Sequence, residues 1–213
     1  MADSIQEYRG KNLVVRFDGE KCIHSRHCVL GRPDVFQANA PGAWIKPDNA
    51  SVEAIVNVAL ACPSGAITYE RLDGAAQEAP PPVNLIHLRE NGPLAIHADV
   101  RFTGGENTLR TTLCRCGASN NKPYCDGSHA AAGFSATGEP ATQASEPLKN
   151  RAGPLEIKPK PDGPLEIIGN VEIVSGTGRT LNRLEKTWLC RCGQSQNKPY
   201  CDGTHKKTGF KTG

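Results

Sequence analysis

The stretch Cys114-Arg-Cys116-Gly-Ala-Ser-Asn-Asn-Lys-Pro-Tyr-Cys125-Asp-Gly-Ser-His129 recurs almost verbatim as Cys190-Arg-Cys192-Gly-Gln-Ser-Gln-Asn-Lys-Pro-Tyr-Cys201-Asp-Gly-Thr-His205, and nothing else in the chain restricts its fold so tightly. Each copy packs three soft thiol ligands and one imidazole into a loop too short to bury them otherwise. Both keep nine positions from the second Cys to the third and four more to the His. Cys-x-Cys is too tight a spacing for two structural thiols to face different core pockets, but it lets both sulfurs grip one metal atom. The later Cys and His supply a second gripping pair. Asp126 and Asp202, directly after that Cys, read as helix N-caps, with His129 or His205 in the first turn and Gly133 or Gly209 ending a helix of about two turns. An anionic metal–sulfur centre beside such an N-terminus gains from its unpaired N–H groups and the helix dipole.

Composition narrows the setting. Hydrophobic residues make up 38% of 213 residues, with 22 Gly and 16 Pro, which argues for several small units rather than one large core. Units of that size bury little apolar surface, so metal centres can supply the missing stability. Nine Cys is an odd number, leaving one thiol over in any all-disulfide scheme. Reduced thiols grouped with His read as metal sites, and the absence of an apolar export signal or membrane-length run predicts a soluble cytoplasmic protein. The net charge of +3 is mild, with lysines gathered toward the C-terminus at Lys198, Lys206, Lys207 and Lys211. It can steer an acidic redox partner but makes no case for nucleic acid.

The repeated loops resemble the CDGSH iron–sulfur domain, the mitoNEET-like family, whose signature is C-x-C-x2-[ST]-x3-P-x-C-D-G-[STA]-H. Ser119, Pro123, Ser195 and Pro199 also fall on that pattern. The resemblance implies one [2Fe–2S] cluster per copy, with Cys114 and Cys116 on one iron and Cys125 and His129 on the other. Cys190, Cys192, Cys201 and His205 are the corresponding set in the second copy. Three thiolates and a neutral imidazole carry one negative charge fewer than four thiolates, so adding an electron is easier and the potential rises, as in Rieske centres. The same His is the weak point of the cage, because a ligand must be unprotonated and His titrates well below Cys; acid is therefore expected to release the metal. Three Cys and one His are also an acceptable structural zinc set, although Cys-x-Cys with a nine-residue step departs from the usual zinc-finger spacing.

Ahead of the repeats, Leu13 to Phe17 reads as a strand, Asp18-Gly19 as a turn and Ala43-Trp44-Ile45 as a short strand. Asp48 or Asn49 is the expected cap of a helix in which Val52, Ile55, Val56, Ala59 and Leu60 share a face. Cys62-Pro63 stops it, and Ala66 to Leu72 returns as a strand. This order resembles small bacterial-type ferredoxins, which place cysteines as C-x2-C-x2-C followed by a distant C-P. Here Ser25 holds the middle position. Cys22, Cys28 and Cys62 thus look like the three-Cys variants, implying a [3Fe–4S] centre, or a [4Fe–4S] centre if another group fills the gap. His24 and His27 flank that gap without sitting on it. The competing reading is a ferredoxin shape that has lost its cluster and keeps three ordinary thiols.

The expected fold class is α+β: a divergent ferredoxin-like domain at 11–73, a proline-rich linker at 74–83, one small β-rich CDGSH domain at 84–135, a flexible link at 136–152 and a second CDGSH domain at 153–213. The repeat extends beyond the loops. Asn91-Gly-Pro-Leu-Ala-Ile aligns with Asp162-Gly-Pro-Leu-Glu-Ile at an offset of 71, whereas the cysteines align at 76, so the second copy carries five more residues around Ser175 to Asn182, where a hairpin loop is expected. Leu94 to Phe102 and Leu165 to Val174 alternate as half-buried strands, and Thr111 to Leu113 and Thr187 to Leu189 lead strand-like into the cysteines. Arg115 and Arg191 read as shields of cluster charge or solvated strand residues, Lys122-Pro123 and Lys198-Pro199 as shapers of the loop, and His87 and His97 as surface or core residues. MitoNEET-like proteins pair as homodimers; the resemblance implies that a tandem chain can pair its copies internally about a pseudo-twofold axis and stay a monomer. An electron-transfer role toward redox partner proteins is the leading expectation. A carrier of clusters to apo iron–sulfur acceptors, or a redox and pH sensor in iron homeostasis, is the alternative. No phosphate loop, nucleophile with base, or flavin signature points to an enzyme.

Overall fold

A computed structural model describes residues 5–212, which divide between Ala79 and Pro80 into two compact units. In the first unit, β1 (Ile5–Arg9), β2 (Leu13–Asp18) and β3 (Ile67–Arg71) form an antiparallel sheet in the order β1-β2-β3. The apolar run Leu-Val-Val, with two β-branched residues, fits the central strand, and Leu13, Val14 and Val15 are almost wholly buried. A one-turn helix, α1 (His27–Gly31), follows the first cysteine loop. The longer α2 (Val52–Leu60) lays Ile55, Val56 and Ala59 into the same core as Leu13, Val15, Phe36 and Ile67. Ser51, not Asp48 or Asn49, caps it: the Ser51 hydroxyl accepts from the Ala54 N–H at 3.3 Å, while Asp48 and Asn49 lie in a separate 3-10 turn begun by Pro47. Ala43 to Ile45 makes no strand; it contributes only an isolated bridge between Phe36 and Ile45. Trp44 packs edge-on against Phe17 at 4.8 Å between ring centres.

The second unit is built by exchange between the two repeats. The first supplies β4 (Leu85–Leu88), β5 (Leu94–Phe102), β6 (Thr108–Leu113) and a single helical turn, α3 (Ser128–Ala131); the second supplies β7 (Pro154–Pro159), β8 (Leu165–Val174) and β9 (Thr180–Leu189). Within each repeat the strands pair antiparallel, as hairpins must: β4 with β5 and β5 with β6, then β7 with β8 and β8 with β9. Asn91 and Asp162 take left-handed φ of 48° and 47° at the tips of the matching hairpins, where Asx residues before Gly turn a chain at low cost. Across repeats, the first strand of each lies parallel to the second strand of the other, β4 on β8 and β7 on β5. The path β4-β5-β7-β8 therefore closes on β4, so β4 and β7, each an edge strand of its own repeat, gain a partner on the second side, while β6 and β9 remain the outer strands among the described residues.

One core results. Ile86, Ile96, Leu113, Leu155, Ile167 and Leu189, drawn from both repeats, are each at most 1% exposed and belong to a single cluster. Asn84 staples the crossing: its N–H donates to Arg151 O at 2.8 Å, its side-chain amide donates to Gly153 O and Asn170 O at 2.9 Å each, and its carbonyl accepts from Glu172 N–H at 3.0 Å. The connection 136–152, expected as a flexible link, runs extended but tied. Gly138 N–H donates to Glu90 and Gln143 N–H to Leu181 O, and Arg179 reaches Pro140 O at 3.1 Å. Its polar composition gives no periodic signal because it is held by backbone groups and long side chains from elsewhere, not by its own apolar face.

Candidate metal centres

Each cysteine loop is a tight extension of a hairpin strand. In the first copy β6 ends at Leu113 and delivers Cys114, whose N–H donates to Pro123 O at 2.9 Å, while Cys125 N–H returns to Thr112 O at 3.0 Å. In the second, Cys190 N–H donates to Pro199 O at 2.8 Å and Cys201 N–H to Trp188 O at 2.9 Å. Ser119 and Ser195 lock the bend: each donates to a Tyr carbonyl, Tyr124 O at 2.7 Å and Tyr200 O at 2.6 Å, and accepts from the N–H two residues on at 3.0 Å. The loop lysines do shape it, Lys122 and Lys198 donating to Ser119 O and Ser195 O, beside cis Lys122–Pro123 and Lys198–Pro199 bonds.

Asp126 and Asp202 act differently from the expected caps. Gly127 and Gly203 occupy the cap position, and only one turn follows, Ser128–Ala131 in the first copy and a 3-10 turn Thr204–Lys206 in the second. Gly133 and Gly209, with φ of 60° and 65°, end the segment after that turn, so the helix dipole contributes little. Each aspartate instead joins two parts of the loop, accepting from Ser128 or Thr204 N–H at 3.0 Å with one oxygen and from Asn120 or Gln196 N–H at 2.8 Å with the other. Those N–H donors hold Asp126 below the ordinary carboxylate range against a burial that pushes it up, and hydrogen bonds led by Thr204 do the same for Asp202.

The donor atoms fall in pairs. Cys114 Sγ and Cys116 Sγ are 3.7 Å apart, as are Cys190 Sγ and Cys192 Sγ; Cys125 Sγ is 3.4 Å from His129 Nδ1, and Cys201 Sγ is 3.4 Å from His205 Nδ1. Tetrahedral bonds of the usual length, about 2.3 Å to sulfur and about 2.0 Å to nitrogen, hold two sulfurs about 3.8 Å apart and a sulfur and nitrogen about 3.5 Å apart. Each pair thus fits one metal atom. Among the described residues no three His, Cys, Asp or Glu side chains converge on a single-ion position. Two pairs per loop suit a bridged two-metal cluster, whereas a lone zinc ion needs all four donors around one point.

Backbone N–H groups point at the sulfurs, Gly117 at Cys114 (3.3 Å), Ala118 at Cys116 (3.4 Å), Gly127 at Cys125 and Gly203 at Cys201 (3.4 Å each), as thiolates require. The hydrogen bond from Cys116 brings Cys114 down to about 6 and holds Cys116 up, and burial pushes Cys190 and Cys125 up to about 11. Burial moves His129 the other way, below the ordinary histidine value, toward the neutral imidazole that a metal needs.

The two loops meet at their cysteines. Cys116 and Cys192 form an antiparallel bridge. The approach is so close that a Cβ on Gly117 would lie 2.6 Å from Cys192 O, and one on Gly193 would be closer still to Cys116 O. Both glycines also need positive φ, 82° and 79°. Arg115 and Arg191, expected as charge shields or solvated residues, are 1% and 2% exposed and act as anchors. Arg115 donates to four carbonyls, Gly92, Thr137, Arg89 and Ala136; Arg191 donates to two, Gly163 and Lys160. Each guanidinium also lies over a ring, Phe134 at 5.4 Å and Phe210 at 5.7 Å. A charged residue between two cysteines gives no sequence signal for burial, and the repeat of Phe at positions 134 and 210 was not read as a partner for it.

In the first unit, Cys22, Cys28 and Cys62 line one largely apolar cavity of about 420 Å³, with Ser25, His24 and Trp44 also on its wall. The turn before Cys22 is fixed by Asp18, which accepts from Glu20 and Lys21 N–H. His24 and Arg26, on either side of Ser25, both take left-handed φ, 54° and 64°, so the loop wraps around the cavity mouth. His24 Nδ1 lies 4.0 Å from Cys22 Sγ, whereas His27 begins α1. Burial raises the Cys22 and Cys28 thiols. Three soft donors around one open-mouthed cavity fit a multinuclear iron–sulfur centre, and residue 25 offers a hydroxyl where a fourth thiol would stand.

The family model described as "Iron-binding zinc finger CDGSH type" matches residues 91–130 and 162–206, and the one described as "Divergent 4Fe-4S mono-cluster" matches residues 8–72. Among curated proteins, "Uncharacterized protein YjdI" of Escherichia coli (strain K12) is 39% identical over 62 residues, which is 29% of this chain and 80% of that protein, and the protein of that name from Escherichia coli O157:H7 matches to the same extent. Among the described residues no helix is long and apolar enough to cross a membrane.

Proposed function

We propose, for a chain that belongs to the CDGSH iron–sulfur family and carries a divergent 4Fe–4S domain ahead of its two copies, that it relays single electrons between partner proteins. The reading assigns one [2Fe–2S] cluster to Cys114, Cys116, Cys125 and His129 and one to Cys190, Cys192, Cys201 and His205. A third centre, [3Fe–4S] or [4Fe–4S], falls to Cys22, Cys28 and Cys62. The observation that carries it is the pairing of donors at 3.7 and 3.4 Å in both loops. Such clusters take up and give back one electron without a substrate pocket. The chain's own residues hold the thiolates by backbone N–H bonds, keep Cys114, Cys190 and Cys192 buried with Cys116 half-buried, and leave His129 and His205 partly exposed. The exchange of strands between repeats lets the chain act as a monomer.

Measuring iron and acid-labile sulfide per chain on anaerobically purified protein, with visible and paramagnetic resonance spectra, tests the assignment. About four irons are expected from the repeats alone and about seven or eight with the N-terminal centre. Colourless protein holding zinc refutes it.

A second reading, a carrier or pH-responsive sensor that releases its clusters to apo-proteins, draws support from that same partial exposure of the histidines, since solvent can reach the weakest ligand. Transfer to an apo-ferredoxin faster than oxidation by an electron acceptor favours the carrier.

A further inference from the structure

The two repeats keep the same ligands but differ sharply in what surrounds them. After its third cysteine the second repeat carries Lys206, Lys207 and Lys211, of which Lys211 is paired with Asp162 at 2.8 Å, against Asp202; the corresponding span of the first repeat, 125–136, holds Asp126 and no lysine or arginine. Lys206 and Lys207 are exposed and directly follow His205, whereas Ala130 and Ala131 stand in their places after His129. The strand entering the loop differs too. Thr112 is 2% exposed in the first repeat, and its counterpart Trp188 is 45% exposed. The main-chain O of Trp188 accepts from Cys201 N–H at 2.9 Å, as Thr112 O does from Cys125 N–H at 3.0 Å, so the residue that carries this surface indole is bonded through its backbone to a ligand residue. Lys186 lies over the Trp188 ring at 5.0 Å and pairs with Glu166 at 3.0 Å. Packing does not account for an exposed tryptophan, because the neighbouring Thr187 and Leu189 already supply the buried positions of β9.

We propose that the surface around Trp188, Lys206 and Lys207 is the docking face for an acidic electron-transfer protein, making the second repeat the port through which electrons enter or leave. This deepens the electron-relay reading and rests on it. An exposed aromatic ring with Lys186 over it, in the repeat that also exposes Lys206 and Lys207, has the composition of a transient recognition patch, the ring burying area at low entropic cost and the lysines steering encounter. The first repeat, with alanines and a buried threonine at these positions, presents neither. Its centre exchanges electrons through the second, which it meets at the bridge between Cys116 and Cys192.

The test uses the whole cluster-loaded chain, with a reduced acidic plant-type ferredoxin as the probe, in stopped flow over a range of salt. Wild type is expected to oxidise the probe at a second-order rate that falls steeply with salt, and K206E/K207E to lose about tenfold at low salt together with most of that dependence. W188A should weaken the reaction without changing the salt slope. The matched control A130E/A131E, on the first repeat, should leave the rate unchanged. Iron content and visible spectrum are checked for each variant; if K206E/K207E fails to hold its clusters, K206Q/K207Q takes its place.

A salt-independent wild-type rate, unchanged rates in the second-repeat variants, or an equal loss from the first-repeat control overturns the docking face. So does a micromolar dimer that W188A dissociates, which assigns the face to a second copy. Reduction by dithionite separates the two levels of argument. Clusters that take up electrons from dithionite but ignore these substitutions refute the face alone, whereas clusters that take up none refute the relay itself.

Discussion

Replacing Arg115 by Ala should damage the chain more than the same change at Arg191, although the two hold equivalent places in the repeat. Arg115 donates to four main-chain carbonyls and Arg191 to two, both from almost fully buried positions. The stacking on Phe134 and Phe210 is similar and cancels in the comparison. Each lost bond leaves a carbonyl without its partner, worth about 1 kcal/mol after water fills part of the space, so the costs are about 4 kcal/mol for R115A and about 2 kcal/mol for R191A. Part of the penalty for keeping a guanidinium buried is returned in both; that burial is what lowers Arg115 to about 10 and lowers Arg191 as well. Urea unfolding of the chain as purified, followed by circular dichroism and visible colour, is the assay. A difference of about 2 kcal/mol moves the midpoint by about 1 M. An R191A midpoint at or below that of R115A would refute the reasoning, since the carbonyl count would then not set the stability.

Gly117→Ala places a Cβ 2.6 Å from Cys192 O and should cost iron in both repeats, whereas Gly127→Ala, with φ of 87° but nothing within 4 Å, should cost about 1 kcal/mol of strain and keep the metal; iron content per chain separates them. Ser25→Cys supplies the missing thiol at the wall of the N-terminal cavity and should raise iron by about one atom per chain, read by metal analysis and resonance spectra. Because burial lowers His129 below the ordinary histidine value, its neutral, ligating form is present at neutral pH and is lost as acid protonates it. Colour loss should therefore quicken below about pH 6 and be slower in His129→Cys, and a pH-independent rate of bleaching would sink this.

The ligand loops were readable in the residues because their chemistry is local. The spacing of Cys114, Cys116, Cys125 and His129 brings the donors within one short loop; the five-residue excess of the second repeat lies in its hairpin as expected, but it lengthens the strands, β8 and β9 running 10 residues each against 9 and 6 in β5 and β6, and not the turn. The bounds of two strands, Leu94 to Phe102 and Leu165 to Val174, were legible to the residue, although the alternation expected of half-buried strands gives way to burial in runs on both faces. Short or irregular pieces were not. β1 is mostly exposed, and β4 and β7 are brief and take much of their definition from the opposite repeat. The Ser51 cap was hidden by two neighbouring Asx residues that cap well in general but here belong to the preceding turn.

What the amino-acid order determined alone was the inventory: two cages of three thiols and an imidazole, a three-cysteine loop before them, and the hairpins that present each. Tertiary structure decided the pairing of β4 with β8 and β7 with β5, the burial of Arg115 and Arg191, the tying of 136–152, and the exposure of Trp188 where Thr112 is buried. The physical reason is range. Ligand geometry and turn chemistry depend on residues a few positions apart, whereas strand exchange and the destination of a buried charge depend on which distant backbone groups are left without partners once the core has closed.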